Sequence, residues 1–240
     1  IPTLFIFIAG LLGLGWIWLA GRPGSEDETR THGGFHLGAA AEALFYDVLL
    51  QGRLWRQSRL RWAFHALVFF PMMARLVVGV LALTASLVRP DWPGTWALLD
   101  RNNPVTAFFL DLTGVMILLG VMLIAIRKLA ASPSRVPGLP RPDWAAVLLL
   151  LAAVVSGFFL KGLGIALAGF PAGSEFAFLG RALGRGLTGL ADLDTLFSWC
   201  WYIHAALWGG FAAYLPFSRM LHIILAPFVL AIEAGRGHKR

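Results

Sequence analysis

Six ionisable side chains lie inside long apolar stretches of this 240-residue sequence. An ionisable group is costly to place within a membrane-spanning helix, so each one is a candidate for binding or transport chemistry. Imidazole can ligate a metal ion, whereas ammonium, guanidinium and carboxylate groups bind polar ligands or move protons. The six residues are His65, Arg75, Asp111, Lys161, His204 and His222.

The spacing of the histidines predicts two levels of chemistry. His204 and His222 are 18 residues apart. In one straight helix that is about five turns or ~27 Å, so both would face one way and neither could reach the other's metal ion. His65 follows Arg61 by four residues, at the depth expected for His222, and a His65–His222 pair would clamp one haem iron from both faces. Alternatively, these two histidines only form a hydrogen bond within a helix bundle.

A second polar level is expected ~10–12 Å below the opposite membrane surface, from the rise of 1.5 Å per helical residue. It holds both signs of charge and one histidine. The residues of this level are Arg75, Asp111, Lys161 and His204. The structural alternatives are an ion pair of Asp111 with Arg75 or with Lys161, and a lysine that extends its ammonium towards the surface.

Apolar blocks must position these side chains. Hydrophobic residues make up 58% of the chain and charged residues 14%, against about a quarter in soluble domains, and the mean hydropathy is +0.72. A spanning helix needs roughly 20 mainly apolar residues. We therefore predict an all-α integral membrane protein with about five transmembrane helices, over residues 1–20, 62–88, 105–126, 144–168 and from 196 to 232, the last bending near Pro216.

Two further segments and the basic residues complete the predicted topology. Residues 35–57 carry apolar side chains at helical spacing and indicate an amphipathic helix at the membrane surface. Residues 170–194 form a glycine-rich linker with a short interfacial helix. Thirteen Lys and Arg residues fall in 21–61, 127–142 and the C-terminal tail, and four fall on the opposite side. The positive-inside rule then places the N-terminus outside and the C-terminus in the cytoplasm, in a multi-pass protein of the inner (cytoplasmic) membrane.

Composition also excludes some classes of function. The net charge of +7 comes from residues that flank the apolar blocks, so it does not indicate nucleic-acid binding. The single cysteine, Cys200, excludes an internal disulfide and an iron–sulfur cluster held by this chain alone. Residues 1–20 show no secretory cleavage pattern. We expect one transmembrane domain over 1–240, which is either a whole protein or the membrane part of a longer one.

Three short runs carry a resemblance to a known family. They are Trp62–His65, Trp201–His204 and Leu215–His222, the last containing Pro-Phe-Ser-Arg. Over about residues 62–232 the chain resembles the cytochrome b (gamma) subunit family of respiratory nitrate reductase, in particular the branch of heterodisulfide-reductase-like and electron-transfer-flavoprotein:quinone oxidoreductase membrane subunits. In that family, helix two carries two histidines ten residues apart and helix five carries two eighteen apart, and they hold two b-type haems. Arg75 stands where the family has the second histidine of helix two.

The arginine changes what the resemblance implies about cofactors. Arginine stays protonated and has no lone pair for iron. The resemblance therefore implies one haem b, with His65 and His222 as its axial ligands on the cytoplasmic side. A second haem would need Met72 or Met73 opposite His204.

The resemblance implies a haem b subunit that transfers electrons between a quinone or menaquinone pool and a cytoplasmic iron–sulfur or flavin partner. Without the outer haem, the second polar level is expected to bind the quinone, with His204 and Lys161 as donors, Asp111 as a proton relay and Arg75 beside them. A quinone site beside the inner haem is the competing placement. The other classes left open are a haem-free transporter that uses the same polar residues and an assembly anchor.

Overall fold

The computed structural model describes residues 2–20, 35–130 and 143–236, and every regular element in these residues is helical. The α-helices are α1 (Pro2–Ala20), α2 (Leu37–Ala43), α3 (Gly52–Gln57), α4 (Arg59–Val88), α5 (Pro93–Leu99), α6 (Pro104–Ala130), α7 (Trp144–Leu167), α8 (Phe178–Leu187), α9 (Leu193–Tyr214) and α10 (His222–Gly235). A π-helical turn follows α2 at Leu44–Leu49, and 3₁₀ turns lie at Ser174–Phe176, Leu215–Phe217 and Arg219–Leu221.

Several of these helices can cross a membrane. Among the described residues, Arg59–Val88, Pro93–Ala130 and Trp144–Leu167 are long and apolar enough, and a bent pair, Leu193–Phe217 with Arg219–Gly235, counts as a fourth if it is one broken span. The apolar stretch Pro2–Trp16 of α1 is shorter. Large apolar side chains on these helices are exposed, as expected where lipid surrounds them. The prediction of an all-helical membrane protein is confirmed, while the count of five spans and their orientation stay predictions.

The described residues group into two compact units, of which the first comprises Ile1–Trp62 and Gly209–Arg240. Within it, α2 packs against α10, and the backbone N–H of His36 donates to the carbonyl of Gly235 at 2.8 Å. The 3₁₀ turn Leu215–Phe217 packs on α1 at Gly10, where a Cβ would lie 2.9 Å from the ring of Phe217.

The segment 35–57, predicted as one surface helix, is broken within this unit. Gln51 adopts a left-handed conformation with φ of 56°, which ends the π-helical turn and starts α3 in a new direction. The carboxylate of Asp47, whose side chain is fully buried, accepts a hydrogen bond from Nε of Arg53 at 3.1 Å and lies 3.9 Å from Arg56. The break is therefore stabilised by an ion pair that the apolar spacing alone did not predict.

The bend predicted near Pro216 is present. Leu215–Phe217 forms a 3₁₀ turn after α9, and the helical pieces on the two sides of Ser218 meet at 82°. The hydroxyl of Ser218 donates to the carbonyl of Leu215 at 2.9 Å and accepts from the backbone N–H of Met220 at 3.1 Å. These bonds satisfy backbone groups that the helix interruption leaves without partners, as a break at membrane depth requires.

The second unit is Ala63–Trp208, and in it α6 packs on α7 while α8 packs along α7. Glycines permit the close approach of α7 and α8. A Cβ at Gly184 would lie 2.9 Å from the carbonyl oxygen of Gly162, and a Cβ at Gly162 would lie 3.1 Å from the backbone nitrogen of Gly184. Small residues at such a contact bring helix backbones together, as is common in membranes. We call this contact the glycine seam.

A bulky residue in the glycine seam is expected to separate α8 from α7. Gly184→Val places its side chain against the backbone of Gly162, which cannot move aside, and overpacking of this kind costs about 1–3 kcal/mol. The matched control is Gly186→Val in the same helix, where a Cβ meets nothing within 4 Å. Thermal unfolding of the purified variants in detergent measures the difference. Equal transition temperatures for the two variants would contradict the close packing.

Candidate functional site

A cavity of about 210 Å³ lies inside the second unit, between α4, α6, α7, α9 and the turn that precedes α6. Its lining residues are Arg75, Arg101, Leu110, Asp111, Gly114, Ala153, Val154, Gly157, Phe158, Lys161, His204 and Trp208. All four residues of the predicted second polar level are among them. The depths estimated from the helical rise per residue thus identified four side chains that line the same cavity.

Arg101 also lines the cavity, and sequence reasoning missed it. It was counted only as one of the basic residues of an outer turn. The available signal was its position in the sequence. Arg101 lies three residues before Pro104, where α6 begins, and Asp111 lies about two turns into that helix. A basic residue just before a helix that carries a site residue can therefore line the same cavity, even when its position in the sequence suggests the membrane surface.

Arg75 is held by helix α6. Its Nε donates to the hydroxyl oxygen of Thr113 at 2.8 Å, and a terminal nitrogen donates to the carbonyl of Leu110. Thr113 donates its own hydroxyl hydrogen to the carbonyl of Phe109 at 2.6 Å, so it can accept from the guanidinium. Gly114 leaves room for this arrangement, since a Cβ there would lie 3.0 Å from a guanidinium nitrogen.

Asp111 is bound by backbone amides and not by a cation. Its Oδ2 accepts from the backbone N–H groups of Leu179 at 2.5 Å and Gly180 at 3.3 Å, in the first turn of α8. These amides have no partner within their own helix, and the partial positive charge at a helix N-terminus favours a carboxylate. Among the described residues, neither Arg75 nor Lys161 has a nitrogen within 4.0 Å of the carboxylate oxygens. The two ion pairs considered as structural alternatives are therefore not formed.

Lys161 connects α7 to the turn before α6. Its Nζ donates to the carbonyl of Arg101 at 2.6 Å and lies 3.5 Å from the side-chain oxygen of Asn102. Both acceptors are neutral. The ammonium is thus oriented by hydrogen bonds while its charge is not balanced by a carboxylate in direct contact.

His204 is positioned by a hydrogen bond with Ser156 of α7. Its Nδ1 lies 2.9 Å from the hydroxyl oxygen of Ser156, and that oxygen lies 3.0 Å from the carbonyl oxygen of Ala153. With the hydroxyl hydrogen on that carbonyl, Nδ1 donates to Ser156; in the other tautomer the hydroxyl donates to Nδ1 instead, and the distances fit both. Gly157 packs against the ring, with a Cβ position 2.9 Å from Cε1. The role of His204 as a donor to a quinone stays a prediction.

The two histidines predicted to hold haem lie in different units. His65 belongs to the second unit, in α4, and stacks on Phe69 with ring centroids 5.9 Å apart. His222 belongs to the first unit and begins α10, beyond the bend that was predicted near Pro216, so the separation calculated for one straight helix does not apply to His204 and His222. Nδ1 of His222 lies 2.8 Å from the carbonyl of Arg219, to which it donates. The pairing of His65 with His222 stays a prediction.

Comparison with known proteins gives distant relatives. No protein-family model matches the chain, and no solved structure matches it. The chain is 26% identical over 188 residues to an EtfAB:quinone oxidoreductase of Syntrophomonas wolfei, a match that covers 72% of this chain and 25% of that protein. It is 26% identical over 199 residues to a subunit of the dihydromethanophenazine:CoB–CoM heterodisulfide reductase of Methanosarcina thermophila, covering 81% of this chain and 66% of the relative.

The same heterodisulfide reductase component of Methanosarcina acetivorans gives a similar match, with 26% identity over 201 residues, 82% of this chain and 66% of the relative. The chain thus spans a quarter of the first relative and slightly less than two thirds of the others. These similarities support the predicted resemblance to membrane electron-transfer subunits of the heterodisulfide-reductase and EtfAB:quinone oxidoreductase branch. The resemblance to nitrate reductase subunits stays a prediction. The chain is an all-helical membrane protein similar to components of membrane electron-transfer complexes.

Proposed function

We propose that this chain is a membrane subunit that transfers electrons between a quinone pool and a cytoplasmic iron–sulfur or flavoprotein partner. The proposed topology has five spans, with the N-terminus outside and the C-terminus in the cytoplasm. The observation that carries the proposal is the cavity in which Arg75, Asp111, Lys161 and His204 surround one space. The similarity to oxidoreductases that act on a quinone or on dihydromethanophenazine, according to their names, supports it.

The size and lining of the cavity suit the ring of a quinone. A cavity of about 150 Å³ is enough to bind benzene, and this one measures about 210 Å³. Phe158 and Trp208 supply aromatic surface, and Lys161 and Arg75 supply hydrogen-bond donors for a quinone carbonyl. When a quinol is oxidised, it loses two electrons and two protons, and the acceptor nitrogen of a neutral His204 imidazole can take one of those protons.

The proposed electron carrier is one haem b, which His65 and His222 would hold through their imidazole nitrogens. The hydrogen bond from Nδ1 of His222 to a backbone carbonyl fits this role, because it leaves the lone pair on Nε2 and orients the ring, as is usual for ligating histidines. Bound haem would accept and donate single electrons. The arrangement around Arg75 does not fit a second haem, since the guanidinium has no lone pair for iron and is bonded to α6.

Quinone binding tests the assignment of the cavity. In nanodiscs of phosphatidylcholine, 2-methyl-1,4-naphthoquinone is expected to bind saturably, at about one molecule per chain, by equilibrium dialysis. Lys161→Met removes a charged donor whose hydrogen bond contributes about 1.5–3 kcal/mol, so the affinity is expected to fall about tenfold to a hundredfold.

Lys128→Met is the matched control for this measurement. Lys128 lies in the last turn of α6, where its ammonium is 5.6 Å from the ring of Trp144, and it does not line the cavity. The control should keep the affinity of the unsubstituted protein. Saturable binding that is insensitive to Lys161→Met would move the quinone to another place, and the absence of saturable binding would reject the quinone function of this cavity.

A further inference from the structure

The cavity carries an excess of positive charge. Three of its lining residues are cationic, Arg75, Arg101 and Lys161, and one, Asp111, is anionic. Within the described residues, no carboxylate oxygen lies within 4.0 Å of a nitrogen of any of the three cations. A charge that lacks a close counter-ion in a region of low dielectric exerts a strong field on whatever enters it.

Asp111 compensates part of that field, since its charge acts on Arg75 and Lys161, and Asp100 also acts on Lys161. One of its oxygens is already bonded to the two amides at the N-terminus of α8, so the carboxylate balances a helix end as well as the cations. His204 adds no negative charge, because an imidazole is either neutral or cationic. With Asp111 ionised and His204 neutral, the lining therefore carries a net charge of about +2 (three cations against one anion).

Donor groups are also in excess. A guanidinium has five N–H donors, and Arg75 uses two of them on Thr113 and Leu110. An ammonium has three donors, and Lys161 uses two of them on the carbonyl of Arg101 and the side chain of Asn102. Each of these two cations thus keeps at least one donor for a ligand. A hydrogen bond with an ionised partner is roughly twice as strong as one between two neutral groups, and opposite charges on donor and acceptor attract each other in addition.

We propose that the cavity selects a ring head group bearing an ionised oxygen, so that the quinol is held as its monoanion. This inference rests on the proposed function, namely that a quinone head group occupies the cavity. On binding, the O–H bond of one quinol hydroxyl breaks, the electron pair stays on the oxygen next to Lys161 and Arg75, and the proton leaves to solvent. No electron is transferred in this step. Quinol held in this state has one proton fewer to release when it is oxidised.

Two probes of nearly equal shape test the inference. 2-Hydroxy-1,4-naphthoquinone is an acidic enol that is ionised at neutral pH, whereas 2-methoxy-1,4-naphthoquinone cannot ionise. In phosphatidylcholine nanodiscs, which carry no net lipid charge, the hydroxy probe is expected to bind at least tenfold more tightly than the methoxy probe. Empty nanodiscs give the partition of each probe into lipid, which is subtracted.

Two variants show whether the preference comes from the cavity. Lys161→Gln is expected to reduce the ratio of the two affinities about tenfold, and Lys128→Gln is expected to leave it unchanged, because Lys128 contributes to the net charge of the protein and not to the cavity. Equal affinities of the two probes in the unsubstituted protein would overturn the inference and leave the quinone site intact. An unchanged ratio in Lys161→Gln would assign the preference to the overall charge and also overturn it. Failure of both naphthoquinones to bind would reject the inference together with the proposed quinone site.

Discussion

Purified protein is expected to contain about one b-type haem per chain and to lose it completely when His65 or His222 is replaced by alanine. A haem with two axial histidines depends on both ligands, because each is a direct bond to iron. His204→Ala should keep the haem, since His204 is proposed to serve the quinone cavity. The measurement is a dithionite-reduced minus oxidised visible spectrum, with haem quantified per chain.

His36→Ala is a control for the loss of a histidine, because His36 is exposed just before α2. Two haems per chain would mean that a second haem is held by His204 together with a residue such as Met72 or Met73. The single-haem proposal would then be wrong. A protein without haem would reject the cytochrome proposal. A transporter that uses the polar cavity, or an anchor that assembles other subunits, would then be the better explanation.

Replacement of Asp111 by leucine is expected to release α8 and to cost about 2–5 kcal/mol of stability. The substitution leaves the N–H groups of Leu179 and Gly180 without their acceptor in a buried place, and each unsatisfied group costs about 1–3 kcal/mol. Thermal unfolding in detergent measures the loss of stability. Limited trypsin digestion reports on α8 itself, because Arg181 and Arg185 lie within it and become cleavable when the helix separates from α7.

Two further variants make this test specific. Asp111→Asn keeps a side-chain oxygen that can accept from both amides, so it should retain α8 and lose only about 1 kcal/mol of stability. Asp91→Leu makes the same change at an exposed aspartate of the same unit and should have little effect. If Asp111→Leu and Asp91→Leu have the same unfolding temperature and the same rate of trypsin cleavage, the carboxylate of Asp111 does not hold α8.

The membrane helices and the cavity were predictable because they depend on periodic properties. Blocks such as 144–168 are apolar for long enough to define a span, and α7 is observed at Trp144–Leu167. The fixed rise per residue placed Arg75, Asp111, Lys161 and His204 at one depth. The fold then brought all four around one cavity.

The contacts inside the cavity were not predictable in the same way. An ion pair of Asp111 with Arg75 or Lys161 was one of the alternatives, but Asp111 binds backbone amides of α8, which any sequence at that helix end would offer. Ser156 was overlooked because a single serine in an apolar helix gives no periodic signal, although it forms a hydrogen bond with His204. The exact end of α9 was equally hidden, because the bend depends on hydrogen bonds of Ser218 as well as on Pro216.

Asp111 lines the cavity and also caps the N-terminus of α8. Ligand binding in the cavity and the docking of α8 are therefore thermodynamically linked. A ligand that strengthens the bonds from Asp111 to Leu179 and Gly180 stabilises the docked helix. Linkage is reciprocal, so any factor that stabilises docked α8 raises the affinity of that ligand by the same ratio. A lipid head group or a neighbouring protein that contacts α8 would therefore act as an effector of the cavity without entering it.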